Sequence, residues 1–252
     1  MQLFYCTDIS ADSIILDPEE SRHAVRVMRL KAGDELYVTD GHGLVVRAGI
    51  VVADEKGCTL QPLSRAMDEP APADLLLGVA PTKNPSRTEW LVEKAVEMGV
   101  ARIFLLQGDH SERVFMKTDR LERIAVSAMK QSLHAYLSEI VPPMTVHEFI
   151  TGPYNPDGAQ CFIAHCDAGQ ARTPLADVLQ PRRTTVVLIG PEGDFSPEEI
   201  ALAREHGYQP VSLGPSRLRT ETAALYAVAA FNFVNDASAH STAARKNVGK
   251  TI

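Results

Sequence analysis

Near the carboxyl end of this 252-residue chain, an apolar strand, a glycine- and proline-rich loop and a capped helix follow one another without a break. Residues 184–189 form a nearly continuous β-branched run that passes directly into Gly190-Pro191-Glu192-Gly193-Asp194-Phe195. Ser196-Pro197-Glu198-Glu199 then has the form of a reciprocal capping box with proline at the first helical position, and Gly207 closes the helix it opens. A strand that is apolar on both faces has to be covered on both, so the run demands a mostly parallel sheet between helical layers. The pattern repeats at once: Val211-Ser212-Leu213 leads into Gly214-Pro215-Ser216-Arg217-Leu218-Arg219-Thr220-Glu221-Thr222. An almost wholly apolar helix over residues 223–234 follows, suited to burial in the domain or in a subunit interface.

In open parallel sheets ligands bind beyond the carboxyl ends of the strands, which makes both loops candidate walls of one pocket. Gly190 and Gly193 would let backbone approach a ligand closely, and Pro191 and Pro215 would stiffen the loops around exposed main-chain groups. Taken singly, each loop could equally be a tight strand-to-helix turn. A third loop, His165-Cys166-Asp167-Ala168-Gly169, ends another apolar stretch and could complete the pocket, with His165 read as a hydrogen-bonded structural residue. There is no G-x-G-x-x-G and no P-loop lysine motif, so neither a dinucleotide site nor a nucleoside triphosphatase is indicated.

Upstream, residues 34–63 read as short β segments separated by the turn signals Asp40-Gly41-His42-Gly43 and Asp54-Glu55-Lys56-Gly57. The stretch Asp68-Glu69-Pro70-Ala71-Pro72-Ala73 breaks every periodicity and reads as a linker. Beyond it, a strand over 75–80 precedes a helix with Asn84 as N-cap, Pro85 at its first position, Trp90, Leu91, Ala95 and Met98 on its apolar side, and Gly99 at its end. A strand over 103–106, a helix over about 119–135 and a polar loop around 152–160 follow. The expected organisation is a small β-rich domain over 1–70, an α/β domain over 73–235 and a loosely ordered tail over 236–252.

The net charge of -7 argues against a surface that captures nucleic acid everywhere, so any phosphate contact has to be local. The basic stretches are Arg22, His23, Arg26, Arg29 and Lys31, and further on Arg113, Lys117, Arg120, Arg123 and Lys130; either could also be a solvated face. Cys6, Cys58, Cys161 and Cys166 are too scattered for a disulfide framework, and no metal site is expected, because Cys161 and Cys166 would face opposite sides of a strand. No basic, apolar leader or spanning helix is evident at the start, which favours the cytoplasm and no membrane.

Ile189-Gly190-Pro191-Glu192-Gly193, Leu213-Gly214 and Arg217-Leu218-Arg219-Thr220-Glu221-Thr222-Ala223 together resemble the RsmE family, the small-subunit ribosomal RNA uridine-N3 methyltransferases. His23-Ala24-Val25-Arg26-Val27-Met28-Arg29-Leu30 and the stretch from Lys83 through Glu89-Trp90, Glu93-Lys94 and Glu97-Met98-Gly99-Val100 fit as well, so the resemblance spans about residues 1–235. It implies a PUA-like N-terminal barrel joined to a SPOUT-type parallel sheet whose C-terminal part is threaded into a trefoil knot. It also implies a homodimer, S-adenosylmethionine as methyl donor, and small-subunit (16S) ribosomal RNA or the 30S particle as substrate. Donor contacts carry over onto Leu188, Ile189, Gly190, Glu192, Gly193, Ser212, Leu213, Gly214, Leu218 and Arg219. Asp194 departs from the family, many of whose members have glycine there; aspartate tolerates turn geometry nearly as well.

Methyl transfer to a uridine ring nitrogen requires alignment of donor and acceptor and removal of one proton. Arg217 and Arg219 are placed in the loop to stabilise the resulting anion; the base is Glu221 or a water, or Glu221 only holds Arg219 in place. Arg22, Arg26 and Arg29 are candidate phosphate contacts. Lys83, Arg87 and Lys94 would seat the RNA or simply pair with acids on an exposed helix, and Trp90 reads as core before it reads as a stacking platform. The competing readings are a SPOUT ribose 2'-O-methyltransferase and a catalytically silent RNA-binding assembly factor.

Overall fold

A computed structural model describes residues 2–112, 117–167 and 169–248, with 237–248 as backbone only. Arg113 of the second basic stretch, Ala168 of the third loop and the last residues of the tail lie outside the described residues. The chain forms two compact units, Met1–Ala71 with Ala125–Leu137, and Pro72–Ile124 with Ser138–Ile252.

The first unit is built on a five-stranded curled sheet in the order β1-β3-β4-β5-β2, from β1 (Leu3–Tyr5), β2 (Ile14–Ile15), β3 (Glu35–Thr39), β4 (Leu44–Val52) and β5 (Thr59–Met67). Only β1 and β3 run parallel. Two register shifts between β4 and β5 bend the sheet. Its core buries Phe4, Ile14, Leu36, Val38, Val46, Ala48, Ile50 and Leu60. The basic stretch near the start does not form one amphipathic helix. Helix α1 (Pro18–Arg22), capped by Asp17, runs into a π-helical turn over His23–Val27, and Arg29 then sits in the left-handed region with φ 58°. A segment distant in sequence completes this unit. Thr39 Oγ1 donates to the Ala135 carbonyl at 3.1 Å, and Lys130 pairs with the carboxylate of Glu20, which is 5% exposed and also accepts the Tyr5 amide.

The second unit is a seven-stranded, wholly parallel sheet in the order β10-β12-β9-β11-β6-β7-β8. Its strands are β6 (Leu75–Val79), β7 (Arg102–Gln107), β8 (Glu139–Thr145), β9 (Gln160–Ala164), β10 (Thr173–Pro174), β11 (Thr185–Ile189) and β12 (Gln209–Ser212). Every residue of β6 and β11 is buried, as continuous apolar runs in a doubly covered sheet require. One face, with Leu76, Phe104, Ile163, Val186 and Leu188, packs on α4 (Val146–Thr151) and α6 (Pro197–Glu205). The other carries α2 (Pro85–Glu97) and α7 (Thr220–Val248), which pack on each other. Between these elements α3 (Thr118–Ser132) follows β7 and the single turn α5 (Leu175–Val178) follows β10. Helix α7 continues past Val234, where its apolar pattern stops.

Residues 139–145 form a strand despite Pro142 and Pro143, because β8 is an edge strand bonded on one side only. Trp90 is 47% exposed, against the core position expected of it. The buried stripe of α2 is Thr88, Leu91, Val92, Ala95 and Val96, and Trp90 lies off it. Helix α7 buries Ala224, Ala227, Val228 and Phe231 but leaves Tyr226 and Phe233 exposed, so only one side of that apolar helix is covered within the chain.

Candidate active site

In chain order, β11 is inserted between β6 and β9, and β12 is added on the far side of β9. The carboxyl ends of β9, β11 and β12 are thereby brought side by side where the strand order reverses. There they open into one cavity with two adjoining lobes of about 340 and 320 Å³, within the range of small-molecule sites. The first lobe is lined by Ala164, His165, Cys166, Arg172 and residues 211–218. The second is lined by Gly190, Pro191, Glu192, Asp194, Arg217, Leu218, Arg219 and Thr220. Ile189 and Ala223 form a shared apolar floor.

Of the residues expected here from sequence, Ile189, Gly190, Glu192, Ser212, Leu213, Gly214, Arg217, Leu218 and Arg219 line the cavity. Leu188 does not. Alternation along β11 turns its side chain into the core beneath α4 and α6. Gly193 also lies off the lining, and the reason for both loop glycines is internal packing. A Cβ at Gly193 would come within 2.8 Å of His110 Cβ, and one at Gly190 would lie 3.1 Å from the Phe195 ring. Gly214 differs, since its φ of 97° suits glycine and nothing crowds it.

The geometry of the loop after β11 is held from several sides. The Ala80 amide donates to the Ile189 carbonyl at 3.0 Å, and the Lys83 amide donates to Glu192 Oε1 at 3.0 Å. Thr220 Oγ1, at the start of α7, donates to the Gly190 carbonyl at 3.1 Å. His110 Nδ1 lies 3.1 Å from both the Gly193 and Asp194 carbonyls. Ser196 Oγ, the cap of α6, donates to Asp109 Oδ2 at 2.6 Å, while Glu199 accepts the Ser196 and Asp109 amides. Burial raises the Glu199 pKa, against the pull of these amides. Asp194 takes φ 67°, and its carboxylate accepts the amides of Cys166 and Phe195. The departure from glycine at 194 thus preserves the backbone and ties the β11 loop to the β9 loop. Asp109 and His110 did not stand out in the sequence, and Thr220 did so only as part of a motif, because their roles depend on which strands become neighbours.

The exposed guanidinium groups of Arg217 and Arg219 have no ion-pair or hydrogen-bond partner among the described residues, which leaves two cations available at the rim. Glu221 is buried, lies off the cavity lining and faces Arg87, with Oε1 3.8 Å from its Nε; its ion pair is not with Arg219. Lys94 pairs with Glu93 and Glu97 on its own helix, and Lys83 with Glu112. In the first unit Arg22, Arg26 and Arg29 are exposed. His165 is 4% exposed, yet neither ring nitrogen has a partner among the described residues. It is therefore not the satisfied structural histidine expected. Among the described residues no cluster of side chains could hold a metal ion.

Comparison with known proteins places this geometry in context. The family model of an RNA methyltransferase domain matches residues 69–232, and that of an RNA methyltransferase PUA domain matches residues 16–63. A probable rRNA-methyltransferase from Porphyromonas gingivalis shares 40% identity and superposes with a TM-score of 0.87, covering 94% of this chain and 100% of its own. The ribosomal RNA small subunit methyltransferase E of Neisseria gonorrhoeae, solved bound to S-adenosyl methionine, is 26% identical with a TM-score of 0.81, over 93% of this chain and 98% of that one. The enzyme of the same name from Aquifex aeolicus is 28% identical over 227 residues, 88% of this chain and 95% of the relative.

Proposed function

Because this chain belongs to the RsmE family of RNA methyltransferases, we propose that it transfers a methyl group from S-adenosylmethionine to N3 of a uridine in small-subunit ribosomal RNA. The observation that carries the reading is the cavity at the ends of β9, β11 and β12, rimmed by Arg217 and Arg219, cations without an ion-pair partner among the described residues. The cavity fits the donor: it has an apolar floor for a nucleoside, main-chain groups of two loops for its polar edge, and charged side chains in the second lobe. Ile189, Gly190, Glu192, Ser212, Leu213, Gly214 and Leu218 would hold it.

When bound, the donor supplies an electrophilic methyl group on a sulfonium. The protein's part is to align the acceptor ring and to favour its deprotonated form, in which charge spreads over the ring nitrogen and its flanking carbonyls. Arg217 and Arg219 are assigned that stabilising role, since they are charged, exposed and without an internal partner among the described residues. Glu221 acts as a positioning residue for Arg87. Its burial away from the cavity lining argues against its serving as the base. The PUA-like unit adds phosphate contacts through Arg22, Arg26 and Arg29.

Exposed Tyr226 and Phe233 on α7 support a homodimer through that face. The trefoil knot implied by the resemblance is supported by the return of the chain from β12 across the ends of β9 and β11 into α7. No helix among the described residues is long and apolar enough to cross a membrane, and action on ribosomal RNA favours the cytoplasm and the 30S particle as substrate. Mass spectrometry of ribosomal RNA from cells lacking the protein tests the proposal. One uridine should lose its N3 methyl group, and an unchanged nucleoside profile would refute the reading.

A further inference from the structure

A buried imidazole with both nitrogens unsatisfied is costly, and it is the one such side chain among the described residues. His165 follows directly on β9 and lines the first lobe of the cavity. Its own carbonyl is taken by Arg172 Nη1 at 2.5 Å, so its main chain is anchored while its ring is not. It shares the lining of that lobe with the apolar Ile189, Val211, Leu213 and Ala223, with the loop residues Ser212, Gly214 and Ser216, and with the cations Arg172 and Arg217. The acids Glu192 and Asp194 line the other lobe.

From this arrangement we infer that His165 is a ligand of the methyl donor, hydrogen-bonding through its neutral ring to an uncharged polar atom of the donor's nucleoside half. The inference rests on the cavity's being the donor site. A neutral imidazole offers one donor and one acceptor, which complements the hydroxyl and ring-nitrogen edges of a nucleoside. Burial is the main cause that holds its pKa below the ordinary histidine value. Asp194 and Asp167 pull the other way, and Arg172 and Arg204 add to the lowering. The charged half of the donor then belongs in the second lobe, beside Glu192, Asp194 and Arg219.

A structural histidine and a ligand-binding one differ in sign when removed. A structural role makes the unliganded protein less stable on removal. A side chain kept for a ligand leaves it as stable, or more so, because an unsatisfied buried group has been replaced by an apolar one. The test is calorimetric titration of the full-length protein, wild type, His165→Leu and His165→Asn, with S-adenosylmethionine and with its demethylated product, alongside urea unfolding of each unliganded protein. The expected result is at least tenfold weaker binding of both ligands by His165→Leu, about 1.4 kcal/mol, with undiminished unfolding stability and partial recovery in His165→Asn. Wild-type affinity in His165→Leu would overturn the inference, whereas failure of the wild type to bind either ligand would overturn the donor-site reading beneath it. Should His165→Leu not fold, nitrogen NMR of the wild-type ring decides: a shift of the His165 resonances on saturation with the demethylated product supports the inference, and unmoved resonances overturn it.

Discussion

The carboxylate of Asp194 accepts the backbone amide of Cys166 at 2.6 Å, while its own backbone holds a φ of 67°. One side chain therefore tolerates a left-handed conformation and ties together the loops after β9 and β11. Asp194→Ala should cost about 2 kcal/mol, about 1 from the left-handed strain and about 1 from the missing hydrogen bond. Asp194→Gly removes the strain but does not restore the tie, so its urea midpoint should fall between wild type and Asp194→Ala. Equal midpoints for the two variants would show that conformation plays no part.

Arg219 is exposed and makes no ion pair among the described residues. Arg219→Ala should therefore leave unfolding stability within about 0.5 kcal/mol of wild type. The same change should lower the rate of methyl transfer by about 10²–10³-fold, the scale of losing one group that stabilises developing negative charge. Single-turnover assays on ribosomal RNA read this directly, and a wild-type rate would take Arg219 out of the mechanism.

Glu20 is buried and its carboxylate is paired with Lys130. Lys130→Met should destabilise the protein by about 3 kcal/mol, because a buried charge is left with the Tyr5 amide as its one partner among the described residues. The double change Glu20→Gln with Lys130→Met should recover much of that loss. If the double variant is as unstable as Lys130→Met, the packing of the lysine stem matters more than the charge.

Burial lowers the His165 pKa from its ordinary value of 6.5. Below that pH the unfolded chain takes up a proton that the folded one resists, so this group's contribution to stability falls as pH drops through about 6.5 towards the folded value. His165→Leu lacks the effect. Urea unfolding of both proteins from pH 7.5 to 5.5 should show the stability of the variant gaining on that of the wild type as pH falls; parallel curves would mean the ring is not shielded as described.

Arg26 and Arg29 are exposed in a stretch without acids, Arg26 within a π-helical turn and Arg29 two residues beyond its end. Charge reversal at both should weaken RNA binding and reduce the slope of log affinity against log salt by about 0.7–0.9 for each phosphate that the protein no longer neutralises. An unchanged slope would return these arginines to an ordinary solvated surface.

The strand-loop-helix grammar of the second unit was legible in the residues themselves. Asn84 and Ser196 cap their helices as read, residues 185–189 are buried throughout, and the Gly190 and Gly214 loops wall one cavity. Such features depend on neighbours a few positions away, so a sequence displays them. The resemblance to a methyltransferase family was likewise carried by contiguous motifs. What only the tertiary structure decided was which distant groups meet: β9 beside β11, Asp194 on Cys166, His110 against Gly193, Glu221 facing Arg87 instead of Arg219, and an imidazole at 165 enclosed without a partner among the described residues. Strand order and long-range packing set those meetings, and no local periodicity records them.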